Sequence, residues 1–210
     1  MAGIKISYAI TVCNEFVEIQ RLIPLLLEYK RDQDEIIILY DQANGDEEIE
    51  NYLRAKSVNS EFAWYKDNFD NHFANWKNKL TSYCNGDYVF QIDADEMPHQ
   101  SLLINLPAVL ESNIDTEFFW VPRVNTVEGL TDQDIKNWRW NVNDKGWVNY
   151  PDFQPRIYRN RDGLVWKNKV HEQLDGYKSY ATLPAQEEWS LYHPKDIDRQ
   201  RKQNQFYSTL

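Results

Sequence analysis

Residues 88–96 read YVFQIDADE, and this stretch decides the architecture. The apolar, aromatic run Tyr88–Ile92 predicts a buried strand that ends on two carboxylates, Asp93 and Asp95. In extended backbone residues i and i+2 point to the same side, so both carboxylates face one spot. In open α/β sheets that spot, beyond the carboxyl ends of the strands, is where ligands bind. Asp-x-Asp occurs at 32/34, 93/95, 132/134 and 196/198, but only 93/95 follows a strongly apolar strand. Two carboxylates there make a hard-oxygen site suited to Mg2+ or Mn2+ carrying a diphosphate. The plainer reading is an acidic strand end that caps the following helix.

Working outward, strands and helices alternate upstream of this stretch. Ile4–Val12 (IKISYAITV) reads as a buried strand, Ile36–Tyr40 (IIILY) as a second and Phe62–Tyr65 as a short third. Asn14 is placed to cap a helix whose apolar residues Phe16, Ile19, Leu22, Ile23, Leu26 and Leu27 follow helical spacing. Pro24 should kink or restart that helix. Another helix begins near Asp46, and Asn71–Cys84 has helical periodicity through Phe73, Trp76, Leu80 and Tyr83. Pro98 suits the first turn of the next helix. Such alternation implies a mostly parallel sheet with helices on both faces. Downstream, Glu117–Val124 predicts another strand, after which order gives way to Trp- and Asn-rich sequence through Tyr150. Asp196–Leu210 reads as a polar helix. The expectation is a single α/β domain over residues 1–210. Residues 1–97 form a nucleotide-type half, and 98–210 an irregular half suited to shaping a pocket.

Charge and composition narrow the chemistry. The chain has 23 basic and 33 acidic residues, a formal charge of −10. That repels a phosphate backbone and argues against nucleic-acid partners. A phosphorylated ligand would need an offsetting cation. No glycine lies between Gly3 and Gly45, so the first strand cannot lead into a dinucleotide fingerprint or a phosphate-cradling loop. Rossmann dehydrogenases and P-loop enzymes are excluded on that ground, and sugar nucleotidyltransferases are disfavoured. No apolar run approaches the roughly 20 residues of a membrane span. The first residues lack signal-peptide features, and Cys13 and Cys84 give neither a disulfide framework nor zinc spacing. A soluble, cytoplasmic protein without a membrane span is expected. Trp138, Trp140 and Trp147 sit in the irregular half, where they serve either as a sugar platform or as core filling.

Several short segments now combine. Thr11-Val12-Cys13-Asn14-Glu15, Asp41 after the second strand, Lys77-Asn78, and Gly86-Asp87-Tyr88 leading into IDADE resemble glycosyltransferase family 2. The likeness is to its small lipopolysaccharide-core-type members. Arg156-Ile157-Tyr158-Arg159-Asn160, Val170-His171-Glu172 and Leu191-Tyr192-His193 extend it, so that it covers residues 6–193. The resemblance implies a GT-A fold, Rossmann-like with a mostly parallel central sheet. It also implies a metal-dependent, inverting glycosyltransferase of hexosyltransferase type. The donor would be a nucleoside-diphosphate sugar, a UDP-sugar first, and the acceptor a hydroxyl of a glycan, glycolipid or protein.

By the same resemblance Thr11, Asn14, Glu15, Asp41, Lys77, Asn78 and Asp93 contact the donor. Asp93, Asp95 and His193 would bind Mn2+ or Mg2+, and Glu172 would act as general base. Trp138, Trp140, Trp147 and Arg156 are the candidate acceptor contacts. Structural alternatives stand beside these roles: a helix cap for Asn14, a turn-former for Asp41, a solvated helix face for Lys77. Glu172 could instead pair with Lys167 or Lys169, with His171 as rival base. His72 and His99 are expected at the surface or as caps. Lys77 stands where the family often has Arg, which keeps the charge but loses the bidentate fork. A non-catalytic nucleotide-sugar-binding protein is the alternative reading, and a nucleotidyltransferase a more distant one.

Overall fold

Three apolar runs become the centre of one sheet. They are β1 (Ile6–Val12), β2 (Glu35–Asp41) and β4 (Tyr88–Asp93), nearly continuous in burial, as parallel strands covered on both faces should be. The other strands are β3 (Ala63–Asp67), β5 (Met97–Pro98), β6 (Phe118–Glu128), β7 (Val148–Arg159), β8 (Val165–Lys167), β9 (Gln173–Asp175), β10 (Tyr180–Thr182) and β11 (Leu191–Asp196). The helices are α1 (Phe16–Tyr29), α2 (Glu47–Lys56), α3 (Phe73–Ser82), α4 (Gln100–Ser112), α5 (Asp132–Trp138) and α6 (Ile197–Tyr207). The structure, a computed structural model, describes residues 3–59 and 61–207. Its main sheet runs β3–β2–β1–β4–β7–β6–β11–β5, with β10 paired to β6, while β8 and β9 form a separate hairpin.

The first four strands in that order are mutually parallel. β7 is antiparallel to both β4 and β6, and β11 is parallel to β6. Residues on either side of position 97 therefore share one sheet. The period of two sorts the core into two layers. Ile6, Tyr8, Ile10, Ile36, Ile38, Tyr88, Phe90 and Ile92 face α1, α2 and α4. Ala9, Ile37, Leu39, Val89, Phe118 and Tyr158 face α3 and the β8–β9 hairpin.

Several local expectations are modified. Pro24 does not break α1, because Ile19, Leu22, Ile23 and Leu26 bury themselves on both sides of it. Asn14 does not cap that helix. The N-cap is Glu15, whose carboxylate folds back to accept the backbone N–H of Cys13 at 2.9 Å and of Asn14 at 3.1 Å. Pro98 belongs to β5 rather than to a helical turn, and α4 starts two residues later under a His99 cap. His72 caps α3 in the same way. The irregular half is more ordered than its composition suggests, for β6 and β7 are the longest strands described. The polar C-terminal helix is present as α6, and residues 208–210 of its expected span lie outside the described residues. Among the described residues no helix is long and apolar enough to cross a membrane.

Candidate active site

Parallel register lines up the strand ends. Thr11 of β1 pairs with Asp93 of β4, and Asp41 ends β2 opposite Asp67 of β3. A cleft of about 1020 Å³ opens over this carboxyl edge, walled by the β1–α1 turn, α3, β6, β7, residues 170–172 and the β11–α6 segment. The fold thus places the cleft where open α/β sheets bind ligands.

Asp93 is held from below. Its Oδ2 accepts Arg156 Nη2 at 2.6 Å, and its Oδ1 accepts Gln91 Nε2 at 3.0 Å and Thr11 Oγ1 at 3.4 Å. Arg156 is only 3% exposed and also forks onto Glu96, at 2.8 and 2.7 Å. Glu96 is fully buried and accepts Arg123 Nη1 at 2.9 Å and the Asp93 N–H at 3.3 Å. Burial by itself would raise the Glu96 carboxyl, but Arg156 and Arg123 outweigh it and hold it at about 2. Burial likewise works against the Arg156 cation, and Asp93 and Glu96 reverse that and raise it above its ordinary value. Arg156, expected to touch the acceptor, borders the cleft but is engaged in fixing Asp93.

Asp95 and His193 face each other, Oδ2 to Nε2, at 3.3 Å. His193 sits beside Asn125 in the β11–β6 register, and its Nδ1 donates to Asn125 Oδ1 at 2.7 Å. The Asn125 amide is oriented in turn, because its Nδ2 donates to Asp152 Oδ2 at 2.8 Å, the oxygen that also takes Arg123. With Nδ1–H so committed, Nε2 is the ring nitrogen left for a metal. Two ligands of one octahedral ion stand roughly 3 Å apart when its bonds are about 2.1 Å. The Asp95–His193 pair therefore fits Mg2+ or Mn2+ that takes its remaining oxygens from substrate phosphate and water. The expected trio is not gathered, because Asp93 is drawn to Arg156. Among the described residues no group of three or more His, Cys, Asp or Glu converges.

Glu172 also lines the cleft. Its partner is neither Lys167 nor Lys169 but Lys77, whose Nζ lies 2.7 Å from Oε1. Lys77 is buried rather than solvated, and its ammonium rests 4.6 Å from the centre of the Trp166 ring. The neighbouring Asn78 points away from the cleft and clasps the backbone of Trp166 in both directions, Nδ2 to O at 2.9 Å and N–H to Oδ1 at 2.8 Å. It is a brace, not a rim residue. A further tie, Phe73 N–H to Lys169 O at 3.0 Å, fixes the turn that carries His171 and Glu172. His171 itself adopts φ 54 there.

Thr11, Asn14, Glu15 and Asp41 all border the cleft. Asp41 is almost fully buried and organises its surroundings, accepting Ala43 N–H at 3.0 Å, Phe69 N–H at 3.2 Å and Asn44 Nδ2 at 2.8 Å. Burial, with the Asp41 carboxylate beside it, pushes the Cys13 thiol up to about 12. Of the three candidate tryptophans only Trp140 lines the cleft. Trp138 packs against it, and Trp147 packs at a tilt against Tyr150 under Lys145.

Sequence reading missed Glu96, Arg123, Asn125, Asp152, Lys195 and Arg199. Glu96 alone carried a signal, being the last letter of the opening stretch. The cleft lining holds six Lys or Arg against five Asp or Glu, so the chain's cations concentrate where the rest of its surface is acidic. Burial pushes the Lys195 ammonium down; Asp95 opposes this, while Arg123 and Arg199 add to it.

Comparison with known proteins gives the lineage. The chain resembles the mannosyltransferase PcManGT from Pyrobaculum calidifontis, solved with GDP-Man and Mn2+, at a TM-score of 0.62 and 15% identity. The match covers 91% of this chain and 57% of that one. It also resembles S. aureus TarS 1-349 with UDP-GlcNAc, at TM-score 0.57 and 13% identity over 91% and 58% of the two chains. A longer TarS structure matches at TM-score 0.56 and 12% identity, over 85% of this chain and 37% of that one. The chain thus spans from about a third to three fifths of its structural relatives, and the shared feature is the GT-A fold. No curated protein sequence matches it. The sequence profile of Glycosyl transferase family 2 matches residues 7–186, and the chain belongs to that family.

Proposed function

We propose that this protein transfers a sugar from a nucleoside-diphosphate sugar to an acceptor hydroxyl, with inversion at the anomeric carbon and dependence on Mn2+ or Mg2+. One observation carries the reading: the Asp95–His193 pair and the Glu172 carboxylate line the same cleft at the carboxyl edge of the sheet. The relatives solved with UDP-GlcNAc and with GDP-Man and Mn2+ support a nucleotide-sugar donor. A uridine nucleotide is the first candidate.

In this scheme residues 1–97 hold the donor and residues 98–210 supply acceptor and base. Asp93, kept in place by Arg156, takes the donor's ribose, while Thr11, Asn14 and Glu15 line the same side. Asp95 and His193 would hold the divalent ion, which would supply charge neutralisation to the leaving diphosphate. Glu172 takes the acceptor's proton on Oε2, its Oε1 being occupied by Lys77. The acceptor oxygen then bonds to the anomeric carbon on the face opposite the diphosphate, whose bond to that carbon breaks and whose oxygen keeps the electron pair. Trp140 at the cleft wall offers an aromatic face to the acceptor sugar.

The test is a panel of UDP- and GDP-sugars with Mn2+, scored by nucleotide release with and without candidate acceptors. Acceptor-dependent release of a nucleoside diphosphate is expected. Formation of a nucleoside triphosphate from the same sugars when pyrophosphate is added would indicate a nucleotidyltransferase, and tight donor binding without turnover a binding protein; either result defeats the proposal.

A further inference from the structure

Arg199 reaches the Asp95–His193 pair from α6, outside every motif that identified the family. Its Nη2 lies 3.4 Å from Asp95 Oδ2, the same oxygen that faces His193 Nε2. Its Nη1 holds Glu18 of α1 at 2.7 Å, and Nη2 stands 3.5 Å from Glu15. A guanidinium set among three carboxylates occupies the electrostatic position a divalent ion would need to share. Two cations against one carboxylate oxygen repel, so a bound ion and the present Arg199 contact compete. The contact is also the exchangeable one. At 3.4 Å it is much longer than the Glu18 bond, and the side chain is one third exposed.

We propose that Arg199 is a ligand for the donor's diphosphate that rests on Asp95 until a divalent ion displaces it. The proposal rests on the nucleotide-sugar reading above. Once displaced, the guanidinium remains tethered near the ion by Glu18, where the nearest new anion is the diphosphate the ion carries. A planar fork suits two phosphate oxygens better than it suits the single Asp95 oxygen it now touches. Lys195 and Lys202 border the cleft from the same β11–α6 segment, so the anion would meet a cationic wall rather than an isolated arginine. The exchange also keeps Asp95 neutralised whether or not the metal is present.

Two binding measurements of opposite sign test this on the full chain. Free Mn2+ is followed by electron paramagnetic resonance in protein without nucleotide, and UDP and GDP are titrated calorimetrically at saturating Mn2+. Arg199→Ala should bind Mn2+ about 3–10-fold more tightly, because a competing cation is gone. The same variant should bind the nucleoside diphosphate about 10–100-fold more weakly, the scale of one or two charge-assisted hydrogen bonds. Arg199→Gln, which keeps length and polarity without charge, should shift both values in the same directions, and thermal melts confirm that each variant is folded. Unchanged or weakened Mn2+ affinity in both variants overturns the displacement. Nucleotide affinity within twofold of wild type overturns the diphosphate role. Wild-type protein that binds neither Mn2+ nor nucleotide overturns the nucleotide-sugar reading itself, a failure visible before any variant is made.

Discussion

Glu172 and Lys77 form a 2.7 Å pair on the cleft wall, and the chemistry asked of them differs in kind. Glu172→Gln keeps the shape but removes the basic oxygen. It should lower kcat by about 10²–10⁴ while donor affinity stays within a few-fold. Full activity in that variant, with loss in His171→Ala instead, would move the base one residue back. In the same cleft, Asp95→Asn should nearly abolish donor binding in Mn2+ without unfolding the chain, since in the proposed mechanism one carboxylate is half of a two-residue ligand set. Equal calorimetric affinity in the mutant, or equal wild-type affinity in EDTA, removes the metal from the mechanism. At this scale the sequence was legible where a motif is local. Asp93 and Asp95 follow from the strand they end. Glu96 lies next to them, yet its burial could not be read, because its partners Arg123 and Arg156 are 27 and 60 residues away. His193 came from a family pattern, whereas Asn125, which sets its tautomer, belongs to no pattern at all.

Among the elements, α3 and β8 act as one unit. Adjacent residues of the helix divide the work: Asn78 clasps the Trp166 backbone, and Lys77 holds Glu172 while lying over the Trp166 ring. Asn78→Ala should cost about 1–3 kcal/mol in urea unfolding, since it leaves a backbone donor and acceptor without their partners. It should also depress kcat more than donor affinity, because in the proposed mechanism the clasp positions the base and not the nucleotide. A variant with normal kcat would separate β8 from the turn that carries Glu172. The strands whose extents were read most closely are those with an unbroken apolar run, β1, β2 and β4, while β3 and β6 were expected but end later than their apolar cores suggested. β7 escaped because it is half-buried along most of its length and carries Asn149, Asp152, Gln154 and Pro155, which erase any alternation of apolar and polar residues. The three-residue strands β8, β9 and β10 are too short to show a period. The second half of the sheet is held by pairing to β4 and β6, a long-range fact that local propensity does not encode.

Over the whole molecule the charges are sorted rather than spread. A chain of formal charge −10 turns a slight excess of Lys and Arg into the cleft, and buries Glu96 between two of those arginines. That arrangement ties stability to acid pH. The Glu96 carboxyl falls from an ordinary 4.5 to about 2 in the fold. Asp152 is also lowered: burial would raise it, but Arg123 and Asn125 prevail. Glu35 follows the same balance, with Lys5 and Ser7 overcoming burial. For each group the folded state binds fewer protons than the unfolded chain, so the contribution is complete above the unfolded pKa and is lost as pH falls through the folded one. Urea midpoints should therefore hold from neutral pH to about 5 and then decline steadily toward pH 2. Glu96→Gln leaves Arg123 and Arg156 buried without their shared carboxylate and should cost about 3–5 kcal/mol at pH 7. It should also flatten the acid decline, because the group that took up the proton is gone. A mutant whose midpoint falls with pH as steeply as wild type would shift the acid sensitivity to Asp152, Glu35 and the surface carboxylates.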